Sequence, residues 1–199
     1  MQRSELSVVC DALLARIFQR EREDSSRGFI VAITSAHPRA GVSHITNALA
    51  MALNQGDDRS TMLLSSRYLS PGDIAADTGE MPKPDASPDL WQWHKPGMPR
   101  DWHGMQASLA VYLENLRRGY QYILIDCPSL REAEHAVILA SLVDGVVIVV
   151  EANRTQKDQF LYAEQTIENA GGRILGHVLN KRTYVIPEWL HRRMEAVGL

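Results

Sequence analysis

Residues 29–44 read Phe29-Ile-Val-Ala-Ile-Thr34-Ser-Ala36-His-Pro-Arg39-Ala40-Gly41-Val42-Ser43-His44, and this stretch decides the fold. The uncharged, largely β-branched run 29–34 predicts a strand buried on both faces. Small residues and Pro38 make 35–43 a loop, and the Ala- and Leu-rich run from His44 to Asn54 predicts a helix. The alternation continues outward from there. Strands are predicted over Thr61–Leu64, Tyr122–Asp126, Gly145–Val150 and Arg173–Leu179. Helices are predicted over Met105–Arg118, Glu132–Leu142 and Phe160–Ala170. Continuously apolar strands separated by helices indicate an α/β fold, a three-layer α/β/α domain with a mostly parallel central sheet. In such sheets a ligand sits beyond the carboxyl ends of the strands. The loops 35–43, 65–70, 127–130 and 180–182 should therefore converge on one crevice.

The rest of the chain fits a single domain over 1–199. Residues 1–27 read as an N-terminal helix, Ser4 to Arg20, with Leu6, Val9, Leu13 and Ile17 at helical spacing, followed by a charged connector. The segment 71–104 holds six prolines, four glycines and three tryptophans, Trp91, Trp93 and Trp102. It reads as a long loop or small excursion from the sheet. A last short helix starts near Pro187.

Composition excludes several classes. The 199 residues are 45% hydrophobic and 23% charged, with a net charge of −3, which is ordinary globular composition. With a pI near 6.2 the chain carries no basic signature of a nucleic-acid binder. Cys10 and Cys127 have no metal-ligand or redox spacing, and the seven histidines are scattered. No apolar run reaches the ~18 residues of a membrane span, and no signal-peptide core opens the chain. The expectation is a soluble, cytoplasmic protein. Only four of the 21 basic residues are Lys: Lys83, Lys95, Lys157 and Lys181. That scarcity matters for the first loop.

Ala36 to Ser43 matches the phosphate-loop pattern [AG]-x-x-x-x-G-K-[ST] at the small residue, the Gly and the Ser, but Val42 stands where the Lys belongs. In that pattern backbone N–H groups and the helix N-terminus cradle phosphates, the Lys reaches the β/γ oxygens, and the hydroxyl holds Mg²⁺. Val42 can offer only its backbone N–H. A ligand-free strand-to-helix turn explains the same eight residues.

Four segments in order extend the comparison: Val31-Ala-Ile-Thr-Ser-Ala-His-Pro, Ile123-Leu-Ile-Asp126-Cys-Pro128, Asp144-Gly-Val-Val-Ile-Val-Val150 and Leu175-Gly-His-Val-Leu-Asn180. Together they resemble the bacterial tyrosine kinases (BY-kinases) of capsule and exopolysaccharide assembly, within the MinD/ParA-type class of deviant P-loop ATPases. The resemblance runs from about Phe29 to Asn180. The family's motifs read V-T-S-x-x-P-G-E-G-K-S-T, I-I-D-T-P-P, D-G-V-L-L-V-V and L-G-V-V-L-N. It implies a P-loop NTPase fold and a nucleotide site at Ala36, Arg39, Ala40, Gly41, Val42, Ser43, His44 and Asn180. The last of these matches a position that contacts adenine in the wider class. It also implies a metal position at Ser43 and Asp126.

The departures from that family pattern decide the functional expectation. Its Gly-Glu-Gly-Lys is Arg39-Ala40-Gly41-Val42 here, so the Lys is gone and a bulky Arg enters the loop. Its second strand ends L-L-I-D-A-D-L-R-R-P; aligned on Pro71, the two acids become Ser65 and Arg67. No Asp or Glu lies between Thr61 and Pro71, so a shifted register restores neither. Phosphoryl transfer depends on positioning and charge stabilisation, and three charged groups are missing at once. Arg67 would further disfavour a metal. The family's terminal tyrosine cluster has no counterpart after Tyr184, and its E-x-x-R-x-x-R motif falls on Ser7, Cys10 and Leu13.

Several of these residues have plainer readings. Ser43 reads equally as a helix N-cap, Asp126 as a turn cap, and Asn180 as a turn former. Trp91 and Trp93 are partner-binding candidates, since aromatics concentrate at interfaces; a small satellite core explains them too. Lys181-Arg182 and Arg192-Arg193 read as solvated pairs. The expectation is a catalytically degenerate relative of the exopolysaccharide kinases, with no catalytic residue and no cofactor expected, although weak ATP or ADP binding with Mg²⁺ stays open. Its partner would be a polysaccharide co-polymerase or an active kinase paralogue at the inner membrane, and no nucleic acid. The alternatives are an active ATP-dependent tyrosine kinase or ATPase with a rearranged site, with Arg39 or Arg67 supplying the missing charge, and a MinD/ParA-like positioning protein.

Overall fold

A computed structural model describes Leu13 and residues 27–54, 61–66, 90–93 and 106–182, with 90–93 described in backbone alone. The predicted helices 4–20 (Leu13 apart) and near Pro187, together with Arg67, Trp102 and Tyr184, lie outside the described residues. In chain order the elements are β1 (Phe29–Ser35), α1 (Val42–Asn54), β2 (Thr61–Ser65), β3 (Leu90–Trp93), α2 (Gln106–Gly119), β4 (Tyr122–Asp126), α3 (His135–Ala140), β5 (Gly145–Glu151), α4 (Lys157–Asn169) and β6 (Ile174–Asn180).

The strands form one six-stranded sheet in the order β3-β2-β4-β1-β5-β6, and every described pair is parallel. The reason is visible in the sequence. All seven residues of β1 are buried, and a strand with no polar face has to be covered on both sides. One face packs Ile30, Met62, Leu64, Ile123, Ile125 and Ile148 against Leu109, Leu113 and Leu116 of α2, Leu139 of α3 and Ile167 of α4. The other packs Val31, Ile33, Leu63, Leu124, Val147 and Val149 against Ile45, Leu49 and Leu53 of α1. Leu13 is helical and buried on this second face. The three layers expected from the sequence are thus present, with a wholly parallel sheet.

The differences from the sequence reading are local. Strand β3 lies inside the segment expected to be a loop or excursion; its four residues add an edge strand beside β2. Helix α3 is shorter than the predicted 132–142. The Ser129 N–H and hydroxyl both donate to Glu132, and the Glu132 and Ala133 N–H groups donate back to the Ser129 carbonyl, so a side-chain-closed turn occupies the expected first turn. Among the described residues no helix is long and apolar enough to cross a membrane.

The chain leaves β1 toward β2 on one side and leaves β4 toward β5 on the other, crossing opposite faces of the sheet. The order reverses between β1 and β4, the switch point beyond whose carboxyl ends such sheets form their ligand crevice.

Candidate functional site

The crevice is walled by the loop 36–41 after β1 and the turn 127–130 after β4. These two segments are tied together at their roots. The Cys127 N–H donates to the Ile33 carbonyl at 2.9 Å, the Leu130 N–H to the Ser35 carbonyl at 2.9 Å, and the buried Thr34 hydroxyl to the Pro128 carbonyl at 2.7 Å.

The loop itself curls through two left-handed residues. Gly41 has φ +94° and Arg39 φ +65°, the left-handed region that costs a side-chain-bearing residue roughly 1–2 kcal/mol. Gly41 is required for a second reason, because a Cβ there would lie 2.3 Å from the Asn180 amide nitrogen. Arg39, where the resembled family has Gly, accepts that strain with its side chain exposed to solvent. Ala36 and Ala40 are buried.

Val42 is the first residue of α1, and its side chain is buried with Ala40, Ile45, Val147, Val149 and Val178. It therefore belongs to the core under the loop. Ser43 and His44 follow it, both exposed. Ser43 is not the N-cap that the sequence allowed: α1 already starts at Val42, with the Ile45 N–H bonded to the Gly41 carbonyl at 3.0 Å. Gly41 holds the cap position, and the Ser43 carbonyl accepts from Asn47 Nδ2 at 2.7 Å.

Asp126 ends β4 and is half-buried at the crevice. Its partner in the ladder is Ser65, the end of β2. The carbonyl of Asp126 accepts from both the N–H (2.9 Å) and the hydroxyl (3.1 Å) of Ser66. The same hydroxyl lies 3.1 Å from His135 Nδ1. Cys127 is fully enclosed beside Ser66, and burial pushes its thiol up to about 12. It behaves as a small core residue.

Two connections had no sequence signal. His37 Nε2 lies 2.5 Å from Gln159 Oε1, an oxygen that also accepts the Gln156 N–H at 3.1 Å, while Nδ1 lies 3.3 Å from an Arg131 Nη1. An amide oxygen only accepts and a guanidinium only donates, so a ring that donates from Nε2 and accepts at Nδ1 satisfies both. The loop is thereby joined to the start of α4 and to the turn after β4. On the far side, Asn180 Nδ2 donates to the Ala40 carbonyl at 2.8 Å, and Asn180 Oδ1 accepts the Lys181 N–H at 2.9 Å. Lys181 Nζ donates to the Arg39 carbonyl and pairs with Glu151 at 3.1 Å. Asn180 is thus engaged with the loop.

The structure accordingly gathers Ala36, Arg39, Ala40, Gly41, Val42, Ser43, His44, Asp126 and Asn180 at one end of the sheet. Trp91 and Trp93 do not join them; they lie on the edge strand β3, two strands away from β4. Among the described residues no group of three or more His, Cys, Asp or Glu is placed to hold a metal ion.

No family model matches the chain. It is 27% identical over 171 residues to the tyrosine-protein kinase CpsD of Streptococcus agalactiae, an alignment covering 76% of this chain and 75% of that one. Among solved structures it superposes on the VpsO kinase domain with a TM-score of 0.71 at 21% identity, covering 92% of this chain and 98% of that one. The septum site-determining protein MinD of Pyrococcus horikoshii, solved with Mg-ADP, aligns with a TM-score of 0.58 at 17% identity, over 83% of this chain and 76% of that one. With its parallel sheet, its curled loop after β1 and these likenesses, the chain has a BY-kinase-like P-loop fold of the MinD/ParA type.

Proposed function

We propose that this protein is a catalytically degenerate relative of the capsule and exopolysaccharide tyrosine kinases, working in the cytoplasm as a protein-binding regulator or scaffold of polysaccharide assembly or export. The observation that carries this reading is the burial of Val42 in the core under the loop, at the position where a P-loop presents its ammonium group. A cradle without that cation, with Ser65 in place of an acid opposite Asp126 and with Glu151 already paired to Lys181, binds phosphate weakly and stabilises little transition-state charge. The donor set at the metal position supports the same view. It consists of the exposed Ser43 hydroxyl and Asp126, with Ser65 opposite, whereas Mg²⁺ is held by oxygen donors that include carboxylates and substrate phosphates. No nucleotide is proposed as a resident cofactor.

A binding role needs a surface, and the edge strand β3 with Trp91 and Trp93 is the proposed contact for a polysaccharide co-polymerase or an active kinase paralogue at the inner membrane. Edge strands offer backbone for pairing, and Trp is enriched among residues that dominate interfaces.

Calorimetric titration with MgATP tests the reading. The expected result is no saturable heat below millimolar concentration. Binding in the low-micromolar range overturns it and favours an active ATP-dependent kinase or ATPase with a rearranged site.

A further inference from the structure

The loop after β1 is held from behind by the end of β6, in a manner independent of any ligand. Asn180 and Lys181 are adjacent, yet they grip two successive carbonyls of the loop: Asn180 Nδ2 takes that of Ala40, and Lys181 Nζ takes that of Arg39. Lys181 is itself fixed at three points. Its backbone is left-handed, with φ +57°; its N–H is bonded to the Asn180 side chain; and its ammonium is paired with Glu151, whose side chain is only 11% exposed. Glu151 ends β5 and is held in turn by Arg154 at 3.3 Å, while its N–H is capped by the Thr155 hydroxyl at 3.1 Å. The Ala152 N–H donates to the Asn180 carbonyl at 2.9 Å, closing β5 against β6 beside the cluster.

One gripped residue is the strained one: Arg39 has a positive φ, and the gripped Ala40 lies between it and Gly41, whose positive φ a glycine adopts freely. An unsupported loop would relax out of the Arg39 conformation. We propose that Asn180, Lys181 and Glu151 form an internal clamp that keeps this loop curled with no ligand present. Lys181 is a positioning residue: it bonds the outside of the curl, and its cation neutralises Glu151 as it does so. Charge-assisted bonds of this kind are about twice as strong as neutral ones, and two of them converge on one ammonium. The clamp stands whether or not a nucleotide binds, so it is separable from the loss of catalysis proposed above.

Hydrogen–deuterium exchange on the ligand-free full chain tests it, comparing wild type with Lys181→Met, Asn180→Ala, Glu151→Gln and the conservative Lys181→Arg. Peptides covering 36–46 report on the loop and a peptide covering 122–126 reports on the core. The expected result is at least tenfold faster exchange over 36–46 in Lys181→Met and Asn180→Ala, with the 122–126 peptide unchanged and partial recovery in Lys181→Arg. Glu151→Gln should give a smaller increase in the same peptides, because it removes the charge and keeps an acceptor. Unchanged loop exchange in both Lys181→Met and Asn180→Ala overturns the proposal. So does acceleration of the loop and the 122–126 peptide by the same factor, which would mark these residues as general supports of the fold. Should Lys181→Met not fold, Asn180→Ala and Glu151→Gln decide the matter by the same criteria.

Discussion

Ser65 sits opposite Asp126 in the ladder between β2 and β4, so a hydroxyl and a carboxylate end adjacent strands at the mouth of the crevice. Asp126 is then the acid of this strand pair on which any residual metal chemistry would depend. ATPase and autokinase rates are expected to equal a buffer blank, and Asp126→Asn should change nothing. Phosphate release and anti-phosphotyrosine blotting measure this; wild-type turnover that Asp126→Asn abolishes would show a working site.

Arg39→Gly removes a side chain from a left-handed position while keeping the carbonyl that Lys181 grips. Relief of the strain should outweigh the greater freedom that Gly gives the unfolded chain, leaving a net stabilisation of up to about 1 kcal/mol. For a chain of this size that corresponds to a rise in melting temperature of about 2–4 °C. A fall of that size would mean that the Arg39 side chain makes a contact important to the loop.

At the opposite end of the sheet, the Arg117 side chain is 5% exposed; its guanidinium lies 3.6 Å from Glu114 and donates to the Gly28 carbonyl at 2.6 Å and to Asp144, which also accepts the Ile30 N–H at 2.6 Å. Asp144→Ala removes one of the two carboxylates at Arg117, leaving Glu114 and the Gly28 carbonyl, and deprives the Ile30 N–H of its acceptor. A loss of roughly 1–3 kcal/mol is expected from the unsatisfied strand N–H and the weakened ion pair, read as a lower urea midpoint with an unchanged slope. A loss below about 1 kcal/mol would indicate that water reaches Arg117 freely.

Cys127 should resist alkylation in the native state at pH 8, because the thiolate is the reactive form and burial holds the thiol up to about 12. Peptide mapping after iodoacetamide treatment reads this directly, with rapid modification expected only in denaturant. The sign of the pH effect follows. The folded pKa lies above the unfolded one, so this group leaves stability unchanged below about pH 9. Above that the unfolded chain releases the proton first, and stability falls progressively toward pH 12. Tyr120, pushed from 10.0 to about 12 by burial, acts in the same direction from about pH 10 upward. An alkaline melting series that stayed flat from pH 9 to 11 would contradict both.

The sequence by itself determined the layered parallel fold, because burial on both faces leaves its mark residue by residue in runs such as 29–34 and 145–150. It also determined which groups the strand ends of β1 and β2 lack, since a missing ammonium at Val42 and missing acids from 61 to 71 are matters of residue identity. Only the tertiary structure decided where the remaining groups point. Local periodicity gave Val42 no destination, and its place in the core follows from α1 starting two residues before the predicted His44. Nor could it reveal that Asn180 and Lys181 grip carbonyls 140 and 142 positions earlier in the chain, or that His37 meets Gln159 across 122 positions. Contacts of that range depend on strand order and register. These are fixed when β1, β5 and β6 come to lie side by side, and no local run of residues encodes that arrangement.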